Sequence, residues 1–356
     1  MKNYVFFLVF VLFIFFTHSA DSQNMKIGGY MQTWLILNQQ TAKINASPGI
    51  EDQTSGFRIR RARLNFKTDI NETFSVNTWF EFAEASKNML DFCVEAKVSD
   101  ALKFTIGQFI TPAQTYETSK LASSKISLYE LADISLNLSR NMGHDSYRDV
   151  GIMANGKIEI VEYSLYYGNG NGRFFYASNN ILNRKFGNGL YGIRLDAEIS
   201  KGLNIGMHYS ANIQDSNYVN DPITSVKSTR HRDRNSYSFN LVSDGFGLPD
   251  LFSTIIYASG KIKDGSNVDY DGITATIGYK ILPYLHIIGR YDTYNEKYPN
   301  TTKQKIENNS TVFGINYLFL KEKSEIAKIG VNYQIRKEKP TEINNDIFLL
   351  WMQVKF

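Results

Sequence analysis

Cysteine is almost missing from the chain. Cys93 is the single one in 356 residues, so there is no intramolecular disulfide framework and no cysteine pair for zinc. No cysteine follows the N-terminal apolar run either, which excludes a lipid-anchored N-terminus. Charge of one sign is lacking too: 39 basic residues stand against 35 acidic ones, a balance that argues against a dedicated nucleic-acid binder. Beyond residue 22 no segment approaches the roughly 20 continuous apolar residues of a membrane-spanning helix. HExxH, GxSxG and Walker patterns are absent, and the five histidines (His18, His144, His208, His231 and His286) are scattered. Some membrane barrels are hydrolases, but a sequence cannot show a nucleophile, base and orienting group brought together; with no catalytic motif, no enzyme, no metal and no cofactor is expected.

The N-terminus carries Lys2 and then an unbroken apolar stretch from Tyr4 to Phe16, followed by Thr17, Ser19, Ala20 and Ser22. The stretch is short for a membrane span and has the flanks of a secretory signal. The expected division is a signal peptide over residues 1–22, cut after Ser22 or less well after Ala20, and one mature domain over 23–356.

The whole chain is rich in Tyr (22) and Phe (24), yet its mean hydropathy is slightly negative. Alternating strands reconcile the two, because a strand between lipid and water is apolar on one face only. Sixteen period-2 segments can be counted, among them 25–37, 57–67, 90–98, 102–110, 147–154, 157–168, 203–213, 235–243 and 345–356. Leu90, Phe92, Val94, Ala96 and Val98 share one face while Asp91, Cys93, Glu95 and Lys97 share the other. Phe348, Leu350, Met352, Val354 and Phe356 form the apolar face of the last segment. Connections alternate long and short, with Asn155-Gly156 read as one tight hairpin turn. This rhythm predicts an all-β fold, a sixteen-stranded antiparallel up-and-down transmembrane β-barrel with both termini on the side of the short turns.

One strand is chemically unusual: Phe57-Arg58-Ile59-Arg60-Arg61-Ala62-Arg63-Leu64-Asn65-Phe66-Lys67 holds four arginines within six residues. Phe57 and Ile59 are in one phase and Ala62, Leu64 and Phe66 in the other, so a β-bulge is expected between Arg60 and Arg61. Such a slip turns the basic groups toward water, sparing the roughly 2–4 kcal/mol that a charge at the lipid midplane costs. The expected pore-lining basic residues are Arg58, Arg60, Arg61, Arg63, Lys67, Arg194, Arg290 and Arg336, with Lys97 and Lys280 less clearly placed. Two readings stand side by side. The cations either attract anions along the wall, or pair with carboxylates such as Glu81, Asp91 and Glu95 and brace the barrel. The Arg230-His231-Arg232-Asp233-Arg234 run is read as an extracellular loop.

The Phe57–Phe66 run, Gly107-Gln108-Phe109-Ile110-Thr111-Pro112, Arg148-Asp149-Val150-Gly151, Gly289-Arg290-Tyr291-Asp292 and the terminal Phe356 together resemble the phosphate-selective porin O and P family. The resemblance covers the mature chain. It implies a trimeric sixteen-stranded channel in the bacterial outer membrane, with basic side chains down the pore and an inward-folded third loop. Here that loop would be 111–146, with Lys120, Lys125 and Arg140 as constriction candidates beside Glu117, Glu130 and Asp133. The implied partners are outer-membrane lipid and lipopolysaccharide, small anionic or neutral solutes and two further copies of the chain, with no nucleic acid. A water-filled pore with some preference for phosphate-like anions is the function expected. The alternative is a non-conducting barrel acting as adhesin, scaffold or partner of another envelope complex.

Overall fold

The computed structural model describes residues 25–38, 55–83, 89–116, 133–142, 147–170, 172, 188–220, 227–263, 267–299, 301–319, 326–342 and 345–356. Sixteen strands run in order: β1 (Met25–Asn38), β2 (Gly56–Asp69), β3 (Phe74–Glu81), β4 (Met89–Ser99), β5 (Leu102–Ile110), β6 (Arg148–Ile158), β7 (Val161–Gly168) and β8 (Gly189–Ser200). There follow β9 (Leu203–Asn220), β10 (Lys227–Asp244), β11 (Leu251–Lys263), β12 (Asn267–Leu282), β13 (Leu285–Lys297), β14 (Ile306–Leu318), β15 (Ala327–Lys339) and β16 (Ile347–Lys355). One helix, α1 (Asp133–Met142), lies between β5 and β6.

Every strand is antiparallel to its neighbours in sequence, and β1 pairs with β16 to close the barrel. Closure is what the bilayer demands, since an open edge would leave unpaired amides in hydrocarbon. The seam is tied at its last residue: the Phe356 amide donates to the Gly29 carbonyl at 2.9 Å, and the Gly29 amide to the Phe356 carbonyl at 3.0 Å. Met25, the first described residue, and Phe356 thereby both sit with the short turns.

Side chains divide by strand period. Phe348, Met352 and Phe356 point outward, while Ile347, Leu349, Trp351 and Gln353 alternate with them on the inner face. Tyrosine and phenylalanine supply the outer aromatic girdles: Tyr167 and Tyr191 pack at 5.0 Å toward the long-loop end, and Tyr317 and Phe319 at 5.4 Å by the short turns.

Two connections differ from the sequence expectation. Asn155-Gly156 is not a turn; both residues lie inside β6, and the hairpin closes at Glu159-Ile160, with Ile158 opposite Val161. Gly156 serves close approach, because a Cβ there would stand 2.0 Å from the Ala101 carbonyl oxygen. The second difference is the 214–234 stretch. Arg230 faces Ser216 and His231 faces Asp215 in a ladder that extends β9 and β10 to 18 residues each. With mostly polar residues along this extension there is no apolar alternation, so the strand signal fades although the pairing continues.

Candidate functional site

The inner wall of β2 is set by one extra residue. Thr33 of β1 pairs with Ile59 and Gln32 with Arg61, leaving Arg60 outside the ladder as the bulge. Phe57 and Ile59 stay 88% and 58% exposed toward lipid, and the basic residues on both sides of the bulge turn inward. Arg58 lies opposite Trp34, Arg61 opposite Gln32, Arg63 opposite Tyr30 and Lys67 opposite Lys26. Arg60 joins them from the bulge, its guanidinium carbon 5.2 Å from the Trp34 ring centroid, with that of Arg58 at 6.0 Å.

The predicted basic residues then separate by partner. Arg63 is paired: Nε donates to Glu81 at 2.7 Å and Nη1 to the Tyr30 hydroxyl at 2.6 Å. Glu81 is fully buried and also accepts the Ala62 amide, so this pair fixes the β2–β3 rim. Lys67 shares Glu95 with Lys103, at 3.2 and 3.3 Å, which leaves one excess positive charge. Arg194 grips Asp196 through two bonds, 2.6 and 2.8 Å, and donates to the Gln114 carbonyl at 3.1 Å. Arg290 donates to Asp292 at 2.9 Å, and both are buried, at 3% and 0%. Arg336 reaches Gln334 at 3.4 Å, while its backbone amide donates to Asp346. Among the described residues, Arg58, Arg60 and Arg336 make no ion pair.

The long connection after β5 enters the barrel. Thr111–Thr115 are buried against β7 and β8, where a Cβ on Gly192 would touch Pro112 and Ala113 at 3.6 and 3.7 Å. The helix α1 then lies on the inner wall of β10–β13, burying Ile134, Leu138 and Met142 against Ala258, Tyr270 and Tyr294. That i, i+4, i+8 stripe was the available signal for a helix; the sequence reading of the segment as loop overlooked it. Polar contacts orient the helix. Asn141 donates to the Tyr294 hydroxyl at 3.0 Å, Arg234 to the Asn141 carbonyl at 2.9 Å, and Asn212 to the Met142 carbonyl at 2.6 Å, so wall side chains cap the helix C-terminus. Of the constriction candidates, Lys120 and Lys125 lie outside the described residues. Arg140 is on α1, but its side chain is not among those described.

In a ring of sixteen strands, a helix on β10–β13 faces β2–β4 from nearly the opposite side. Helix α1 and the arginine strand thus stand on opposing walls of the lumen. Beside Thr111–Gln114 remains a cavity of ≈ 440 Å³ whose charged lining is Lys97, Lys103, Lys157 and Arg194 against Asp100, Glu162 and Asp196, one positive charge in excess. Sequence reasoning missed Arg148, which holds Asp91 at 2.6 Å, and Lys328, whose amino group stands 5.7 Å from the Trp351 ring.

Comparison with known proteins agrees with this geometry. No curated protein matches the chain in sequence. Similar solved structures include OmpT of Vibrio cholerae lacking loop L8 (TM-score 0.66, 12% identity, 94% of this chain and 100% of that one). An anion-selective porin from Comamonas acidovorans has a TM-score of 0.64 at 11% identity, over 94% and 100% of the two chains. The outer-membrane channel DcaP of Acinetobacter baumannii has 0.63 at 11%, over 95% and 99%. At such identities these neighbours speak for the barrel fold. The family description phosphate-selective porin O and P matches residues 39–356, and a closed sixteen-stranded barrel with helix α1 packed on its inner wall completes the case: the chain belongs to this family of outer-membrane porins.

Proposed function

We propose that this porin passes small hydrophilic solutes with a preference for anions, and that Arg58 and Arg60 carry most of that preference. The observation behind the reading is their charge state in context: both face the lumen, and among the described residues neither has a carboxylate partner. Arg336 adds positive potential to the same space. Arg63, Arg194 and Arg290 contribute little to it, since an adjacent carboxylate cancels each at short range.

The chemistry is electrostatic and needs no bound group. A fixed cation in a water-filled channel raises the local anion concentration and lowers that of cations. Guanidinium N–H groups also match phosphate and carboxylate oxygens in paired geometry. Zero-current potentials across a planar bilayer with a KCl gradient test this reading. The wild-type channel should favour chloride over potassium, and a cation-preferring channel would refute it.

Three further features belong to the same reading. Residues 1–22 act as a signal peptide, so the mature chain from outer membranes should begin at Gln23 by mass spectrometry. The barrel assembles as a homotrimer, in line with the trimer form of OmpT from Vibrio cholerae; cross-linking in native membranes should give a three-subunit species. The chain works as a channel rather than an enzyme, embedded in outer-membrane lipid and lipopolysaccharide.

A further inference from the structure

All three tryptophans face the lumen, two on the strands flanking the arginine strand and one on β16, just beyond β1. Trp34 of β1 pairs with Trp351 of β16 across the barrel seam, and Trp79 of β3 meets Tyr30 edge to face at 6.3 Å. Tryptophan in a membrane barrel is ordinarily favoured in the outer girdles. In this chain tyrosine and phenylalanine fill those belts, so the inner position of the indoles calls for another cause.

Trp34 supplies one. Arg58 and Arg60 both lie over its ring, on either side of Ile59, and the bulge is what allows two residues so close in sequence to reach one indole. A guanidinium held by an aromatic face differs from one held by a carboxylate. Its charge is not cancelled, its N–H edge is not occupied by an acceptor, and the face away from the indole can stack again. Trp34 therefore stiffens two long side chains that would otherwise sample many rotamers, while leaving their anion-binding groups available.

We propose that Arg58, Arg60 and Trp34 form a recognition platform for planar organic anions of the aryl carboxylate class. The carboxylate accepts from the guanidinium N–H fork, and the solute ring stacks on the outer guanidinium face, extending the indole–guanidinium pair by one layer. This rests on the anion preference proposed above and narrows it, separating solutes of equal charge by shape.

The test uses the folded mature barrel in planar bilayers, with chloride current recorded as benzoate, acetate or cyclohexanecarboxylate is added. The three probes carry the same charge; only benzoate has a flat aromatic ring. Benzoate should reduce the current at about fivefold lower concentration than the other two, the size expected of one stacked contact. Trp34→Leu should remove this advantage while chloride stays favoured over potassium. Equal potency of benzoate and cyclohexanecarboxylate on the wild type overturns the platform, as does an advantage that survives in Trp34→Leu. Should that variant fail to fold, the wild-type comparison still decides. Loss of the chloride preference in the wild type is a different result, and it refutes the anion reading itself.

Discussion

The arginines of β8 and β13 and those of β2 face the same lumen with the same charge, yet their surroundings give them opposite uses. Arg194 and Arg290 each have an aspartate two residues on, Asp196 and Asp292, and period-2 geometry places both members of each pair on one face. On β2 the residues two places after Arg58, Arg60, Arg61 and Arg63 are Arg60, Ala62, Arg63 and Asn65, none of them a carboxylate. Arg58 and Arg60 are held instead by an indole. A carboxylate partner turns an arginine into a brace, whereas an aromatic partner fixes its position and leaves its field intact. The comparison teaches that counting inward arginines overstates the selectivity of a pore wall; their partners decide it.

The largest expected effect comes from breaking a brace. Arg290→Met leaves the buried Asp292 carboxylate facing its neighbours without the cation it receives, and loss of about 3–5 kcal/mol of stability is expected. Urea unfolding in lipid vesicles measures it. The double variant Arg290→Met with Asp292→Leu should regain most of the loss, because removing both charges also removes their desolvation cost. Similar instability of the two would show that Arg290 matters by shape and not as an ion-pair partner.

The loop that faces β2 gives the next effect. Leu138→Ala removes a fully buried side chain from the inner wall contact of α1, and about 2–4 kcal/mol of local packing goes with it. The barrel should remain intact, since the helix lies off the ladder. Single-channel recordings should show a larger and noisier conductance. An unchanged conductance would mean that α1 does not bound the conducting path.

Neutralising the arginines on the indole should act on selectivity and hardly on stability. A unit charge about 6 Å from a passing ion is worth ~0.3 kcal/mol in water with salt screening and acts with opposite sign on chloride and potassium, so Arg58→Gln with Arg60→Gln should lower the chloride-to-potassium permeability ratio by about tenfold. Zero-current potentials report the ratio directly. If it stays put, the preference arises elsewhere on the wall.

How much of this was legible in the sequence follows from what period-2 patterns encode. The sixteen strands, the outward face of β16 and the bulge in β2 could be read, because lipid on one side imposes apolar alternation wherever a strand crosses it. The extension of β9 and β10 through Arg230–Arg234 could not, as its polar sequence leaves no contrast to read. Gly156 looked like a turn residue, while its actual constraint is the Ala101 carbonyl on a neighbouring turn, a relation absent from local sequence. For the site, the inward direction of the arginines was legible from their apolar neighbours. The Arg-x-Asp spacing in 194–196 and 290–292 was present as well and implied pairing. What stayed hidden was the indole beneath Arg58 and Arg60, since Trp34 stands on another strand and its register is fixed only when the barrel closes.

The smallest effect belongs to Arg63, and it offers the finest test of the comparison. This arginine shares the strand, the face and the lumen with Arg58 and Arg60, and differs in having Glu81 at 2.7 Å. If partners decide the contribution of a cation, replacing both members by Arg63→Gln with Glu81→Gln keeps the net lumen charge unchanged. The permeability ratio should then stay within about twofold of the wild type, because a close pair seen from several ångströms away acts only as a dipole. Should the double variant instead lose anion preference as strongly as the Arg58 and Arg60 variant, the field would follow arginine count along β2 and the distinction between brace and platform would fall.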